Sequence, residues 1–105
     1  MRDSNLPETE LLKTVLQPLL EDFQYWFARS RKFLETEHLS FMSRVEQNDL
    51  LTRVKQAEEE VNTAKMLFMA TDAQVGIDMA ALLPWHNLVT ECWNVGMRFR
   101  QAQGG

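Results

Sequence analysis

Two histidines, one cysteine and scattered carboxylates are the side chains of this 105-residue chain that could do chemistry. His86 comes first. It stands in the run Pro84-Trp85-His86, four residues before Thr90 and five before Glu91. An imidazole titrates near neutral pH and can pass protons when a carboxylate orients it. On a helix, at about 100° per residue, Glu91 points about 140° away from His86, so an orienting carboxylate must come from another helix or subunit. Without one, His86 reads as a structural hydrogen-bonder. Trp85, His86, Glu91 and Trp93 together form the candidate functional cluster. Cys92 has no cation near it in sequence to lower its pKa, and a free Cys of that kind is usually a small apolar filler. One Cys makes neither an internal disulfide nor a Cys-based metal site. There is no His-x3-His, Glu-x-x-His or Cys-x-x-Cys spacing, and His38 falls in an expected loop far from His86. Asp72 and Asp78 around Gly76 do not match a calcium loop, and there is no Gly-rich phosphate loop or nucleophile elbow. The expectation is no catalytic residue, no cofactor and no metal: a protein that is not an enzyme.

The composition narrows the partners. Lys and Arg number 11 against 15 Asp and Glu, a net charge of −4. Nucleic acid is therefore not the expected partner, because phosphate binding needs an excess of cations on one face. No apolar run approaches the length of about 20 residues that spans a bilayer, so no transmembrane segment is expected. The first residues, MRDSNLPETE, lack the apolar core of a signal peptide. With one Cys, the reducing cytosol is the simplest compartment. Hydrophobic residues make up 45% and there are only four Gly and three Pro, which favours one domain of few, long elements.

Those elements read as helices. Asn5-Leu6-Pro7-Glu8 looks like a helix start, after a loose lead over residues 1–4. Apolar residues at 11, 12, 15, 16, 19, 20, 23, 26, 27, 33 and 34 keep three-to-four spacing, which predicts a first helix over about 6–35. Pro18 cannot donate to the Thr14 carbonyl and its ring crowds that turn, so a kink is expected there; the alternative is two helices broken at Gln17. Leu39, Phe41 and Met42 in the following connection could fold back as a lid. Ser43-Arg44-Val45-Glu46 is a capping-box pattern that opens a second helix over about 44–71. Its seam is Leu50, Val54, Ala57, Val61, Ala64 and Phe68, with Gln47, Asp49, Arg53, Lys55 and Glu58–Glu60 on a solvated face. Gly76 offers a turn and Asp78 a cap. The third helix either bends at Pro84 or begins there, with a short break before Pro84 preferred. Its stripe is Leu82, Trp85, Val89, Cys92, Gly96 and Phe99. Gly96 on that stripe suggests the close approach of another helix or of a large ring. Residues 101–105 are expected to fray.

Two stretches carry surplus apolar or basic character. Phe23, Tyr25, Trp26 and Phe27 are followed by Arg29, Arg31 and Lys32. The functional reading is a surface for a membrane interface, a pigment or an acidic partner. The simpler one has the aromatics in the core and the cations at the helix C-terminus, where the dipole favours them. Met66, Leu67 and Met69 widen the second helix's apolar band beyond one seam, which suits either core, a dimer contact or adaptable binding. Tyr25, Arg29, Arg31, Lys32, Met66 and Met69 are thus the candidate interaction surface.

The words Leu11–Phe27 (LLKTVLQPLLEDFQYWF) and Pro84–Trp93 (PWHNLVTECW) resemble a family of small cyanobacterial proteins of unknown function, a domain-of-unknown-function family. The likeness runs from about Asn5 to Arg100. It implies a cytoplasmic or thylakoid-side protein of a photosynthetic bacterium. It carries over no catalytic or binding residue.

The expected fold is an all-α, antiparallel three-helix bundle, up-down-up, with helix 1 kinked at Pro18. The expected core is Leu12, Val15, Leu16, Leu19, Phe23, Trp26, Phe27, Leu51, Val54, Val61, Phe68, Leu82, Trp85, Val89, Cys92, Trp93 and Phe99. The expected function is a helical interaction module, a small adaptor or regulator docking on a larger protein complex. The apolar bands are wide enough for a homodimer, and peripheral membrane contact is compatible with the aromatic-basic stretch. The alternative is a bundle that binds a pigment or other small molecule, lined by Trp85, Trp93, Trp26 and Gly96.

Overall fold

A computed structural model describes residues 5–71 and 79–104, and all of its regular structure is helical: α1 is Asn5–Thr36, α2 is Arg44–Ala70 and α3 is Met79–Gly104. The lead 1–4, the turn at Gly76, the cap at Asp78 and the side chain of Leu12 lie outside the described residues. The fold is drawn out, 61 × 23 × 20 Å, as a few long helices require.

α1 runs unbroken through Pro18, so the two-helix alternative is not what forms. Its buried line is Leu16, Leu20, Phe23, Phe27 and Leu34, spaced by four, three, four and seven residues. α2 begins as its sequence specifies. The Glu46 amide donates to Ser43 Oγ at 3.0 Å, and the Ser43 amide donates to Glu46 Oε1 at 2.8 Å. Leu50, Val54, Ala57, Val61 and Phe68 are its buried seam. α3 also runs unbroken through its proline, and the short break expected before Pro84 is absent. Pro84 forgoes one helical hydrogen bond. Ala81 and Leu82 pack on the core just before it, and Trp85 and Leu88 are buried just after, so tertiary contacts hold both sides of that turn.

The order of contacts gives the packing. Along α1, Glu21 meets Lys65 at 3.3 Å, Gln24 meets Asn62 at 2.8 Å and Arg31 meets Glu58 at 2.7 Å, so the partners in α2 descend as α1 ascends. Between α1 and α3 both sides ascend, from Phe23 on Trp85 to Phe33 on Phe99. α3 touches α2 through Trp85 on Glu60 and Glu91 on Arg53. The connection between α1 and α2 is packed. Leu39 is fully buried, Phe41 and Met42 lie against the core, and the Arg98 guanidinium sits 4.3 Å from the centre of the Phe41 ring. Gln47, expected on the solvated face of α2, instead reaches into this connection. Its amide nitrogen donates to the carbonyls of Leu34 at 3.0 Å and Glu37 at 2.8 Å. Its carbonyl oxygen accepts from the Leu39 amide at 3.4 Å.

Among the described residues, three expected core residues are outside the core: Trp26, half-buried between α1 and α3, Val15 and Trp93. Val15 is 54% exposed, because it stands two turns below Phe23, at a level where α3 is only beginning. Trp93 is 55% exposed, because it is turned about 100° from Cys92, which faces α1. Leu20, Leu34, Leu39, Leu50, Ala57 and Leu88, absent from the expected set, are buried.

Candidate functional site

Of the cluster Trp85, His86, Glu91 and Trp93, Trp85 and Glu91 line one depression together with Arg53 and Glu60, while Trp93 lines another. Trp85 is only 5% exposed and joins all three helices. Its ring meets Phe23 edge-on, with centroids 5.6 Å apart and planes 66° apart. Its indole N–H donates to Glu60 Oε1 at 3.0 Å. His86, the next residue, is turned outward and exposed, with no side-chain partner among the described residues. Glu91 accepts two hydrogen bonds from Arg53, from Nη1 at 3.0 Å and Nη2 at 2.7 Å. That fork holds the Glu91 carboxyl below the usual carboxylate range, against the opposing effect of partial burial. Glu91 is therefore engaged by α2 and does not orient the imidazole. His38 borders a separate depression with Glu35, Glu37 and Arg44 at the α1–α2 connection. No group of three or more His, Cys, Asp or Glu able to hold a metal ion occurs among the described residues.

The interaction surface expected from the sequence is split. Tyr25, Arg29 and Lys32 are exposed on α1. Arg31 is taken up internally by Glu58 at 2.7 Å and Glu35 at 3.3 Å, and the Glu58 hydrogen bond is the main reason its pKa is raised. Met66 and Met69 lie at the far end of α2, exposed by 68% and 51%, with Leu67 between them at 49%. All three turn away from the seam that buries Phe68.

A groove between α1 and α3 gathers residues from both expected sets. Its α1 wall is Trp26, Ser30 and Phe33, and its α3 wall is Cys92, Trp93, Gly96 and Phe99, with Arg29 and Arg100 also lining it. It encloses about 340 Å³ and is open on one side. Trp26, Trp93 and Gly96, three members of the alternative ligand-binding set, line it; Trp85 does not. Gly96 does not serve the close helix approach its position suggested, since a Cβ added there would meet nothing within 4 Å. The Phe33 and Phe99 rings meet edge-on at 5.1 Å, and the Tyr25 ring meets Trp26 at 5.1 Å. The Arg29 guanidinium lies 5.8 Å from the Trp26 ring centre and donates to Tyr25 Oη at 2.9 Å. Burial pushes the Cys92 thiol pKa up, while a hydrogen bond with Ser30 acts in the opposite direction. A thiol so placed is a poor nucleophile at neutral pH.

Sequence reasoning missed Ser30, Arg100 and Glu60 as contributors. None of the three carries a motif, and each matters only because another helix lies beside it. The Asp49–Arg53 pair was legible from its spacing and forms at 3.2 Å, but the same guanidinium's stronger partner, Glu91, lies 38 residues away.

A family model matches residues 6–101, a span that takes in α2, nearly all of α1 and α3, and every described residue lining the groove. The chain belongs to the family described as a protein of unknown function, DUF2605. A comparison of this DUF2605 chain with curated proteins finds no match, and a comparison with solved structures finds none. No helix among the described residues is long and apolar enough to cross a membrane.

Proposed function

We propose that this DUF2605 protein is a non-enzymatic interaction module, a small adaptor or regulator that docks on a larger protein complex. Its architecture in this reading is an antiparallel, up-down-up three-helix bundle, bent at Pro18. One observation carries the proposal: Met66, Leu67 and Met69 stay 68%, 49% and 51% exposed at one end of α2. Monomers seldom leave contiguous apolar patches open unless they bind something. Flexible Met side chains suit a surface that must adapt to its partner. His86 and Cys92 argue for no competing chemistry, the one facing outward without an orienting carboxylate and the other held as a neutral thiol. The proposed setting is the cytoplasm of a photosynthetic bacterium, as the resemblance implies, with Tyr25, Arg29 and Lys32 free to meet a membrane surface.

The test is affinity capture from native cells with the wild-type chain and a Met66→Lys, Met69→Lys double variant, with helicity of both checked by circular dichroism. The module reading expects one larger complex with the wild type and its loss with the folded double variant. Equal capture by both, or none by either, would sink it. Light scattering on the purified chain separates a homodimer, in which a second copy covers this patch, from a monomer.

A second reading is favoured by the groove between α1 and α3: a bundle that binds a pigment or another apolar small molecule. Its volume of about 340 Å³ falls within the range of small-ligand sites. Protein purified from native cells would then carry a bound molecule that extraction releases, visible by absorbance if it is a pigment.

A further inference from the structure

The groove between α1 and α3 has a charge of one sign. Arg29 and Arg100 line it, and no Asp or Glu among the described residues does. Two other depressions are neutralised from within. Beside Trp85, Arg53 is accompanied by Glu60 and Glu91; at the α1–α2 connection, Arg44 is accompanied by Glu35 and Glu37. Some cations elsewhere on the bundle behave differently from the two in the groove. Arg31 and Arg53 each hold two carboxylates. Arg29 reaches only the Tyr25 hydroxyl and the Trp26 ring, and Arg100 has no partner among the described residues. In a chain of net charge −4, two guanidiniums without an acid beside one concave surface are complementary to an anion from outside.

The rest of the lining specifies the other end of that anion. Trp26, Phe33, Trp93 and Phe99 offer ring faces and edges, and Trp93 is held open to solvent. Gly is the poorest ordinary residue for a helix interior, yet Gly96 sits within α3 with open space where its Cβ would be. Its missing side chain is what leaves the groove its depth. Cys92 and Ser30 lie on facing walls of the groove.

We propose that this groove binds an amphipathic carboxylate: a flat or chain-like apolar body lying over Gly96 among Trp26, Trp93 and Phe99, its acid group on Arg29 or Arg100. A guanidinium offers the paired donors that a carboxylate accepts. The inference rests on the second reading above, and it adds the charge and shape of the ligand.

The probe is 1-pyrenebutanoate on the full-length chain, with uncharged 1-pyrenebutanol beside it. Energy transfer from tryptophan to pyrene gives the affinity, and protection of Cys92 from iodoacetamide at alkaline pH, where the unliganded thiol ionises and reacts, reports occupancy of this groove in particular. The acid should bind saturably, one per chain, and shield Cys92. The alcohol should bind about fivefold more weakly, the factor that one exposed ion pair of about 1 kcal/mol gives. The double variant R29Q/R100Q should lose about that factor for the acid and nothing for the alcohol. G96L should fill the groove and weaken both probes by more than tenfold, with helicity kept, since Leu favours helix and its Cβ meets no neighbour within 4 Å. Equal affinity for acid and alcohol would overturn the charge recognition while leaving a small-molecule site standing. No saturable binding of either probe, or binding without Cys92 protection, would overturn the site itself and the second reading with it. The wild-type protection result decides the matter even if G96L fails to fold.

Discussion

Gln47 offers the sharpest test of the packing argument. Its side-chain amide reaches the end of α1 and the connection that follows. It donates to the Leu34 carbonyl at 3.0 Å and the Glu37 carbonyl at 2.8 Å, and accepts from the Leu39 amide at 3.4 Å. The last carbonyls of a helix have no partner inside it, so Gln47 supplies α1 with a cap from another helix. Leu39, whose amide it receives, is fully buried and seals that end of the core. Two good hydrogen bonds at about 1 kcal/mol each and one long one at about half that give about 2.5 kcal/mol for Gln47→Ala. For a domain of this size that lowers the melting temperature by about 10 °C or more. Gln47→Glu is the informative companion. It keeps an acceptor for the Leu39 amide but places a carboxylate against two carbonyl oxygens, so at neutral pH it should be at least as damaging as Gln47→Ala. Urea unfolding followed by circular dichroism at pH 7 measures both. A loss below about 0.5 kcal/mol for Gln47→Ala, the level of an ordinary surface change, would show that the clasp contributes nothing and refute the reasoning.

Four further outcomes follow from contacts elsewhere in the bundle. Trp85→Ala should cost about 3–5 kcal/mol, since it opens a cavity where the three helices meet; Trp85→Phe, which keeps an aromatic ring beside Phe23 and loses the bond to Glu60 and part of the indole's volume, should cost less, and the two unfolding curves check the order. The Ser43 backbone bond holds the Glu46 carboxyl below its ordinary 4.5, so the capping box contributes fully above that value and is lost as pH falls through the lowered one. Wild type should therefore exceed Glu46→Gln in stability near neutral pH and converge with it in stronger acid, read by unfolding at a series of pH values. Ser43→Ala should cost about 1 kcal/mol at neutral pH in the same assay. For Arg53 and Glu91, 45% and 46% exposed, a double-mutant cycle should give a coupling of about 1 kcal/mol that shrinks in high salt; a coupling independent of salt would contradict its exposure.

The helices themselves were legible in the residues. Three-to-four spacing marked α1 and α2 to within a residue or two, and Ser43 with Glu46 marked the start of α2, because helix period and N-capping are local physics. The seam from Leu50 through Phe68 followed for the same reason. Membership of DUF2605 was legible in whole words of the sequence, although the family's name carries no activity with it. Which of several apolar residues on one helix would be covered was a tertiary matter. Val15 and Trp93 look as buried on paper as Leu20 and Leu88. Only the length over which α3 runs beside α1, and the direction in which Cys92 faces, leave the first two in water. The same holds for the proline in α3: the broken turn expected before Pro84 gave way to packing on both sides of it. The candidate site depended most on the tertiary structure. Local spacing grouped Trp85, His86, Glu91 and Trp93, but successive residues on a helix diverge by about 100°, and the fold sent these four to three different surroundings. It brought Trp26, Arg29, Cys92, Trp93, Gly96 and Arg100 together instead, across more than 60 residues of chain, because the apolar stripes of α1 and α3 had to close on each other and no side chain at Gly96 was there to fill the space between them.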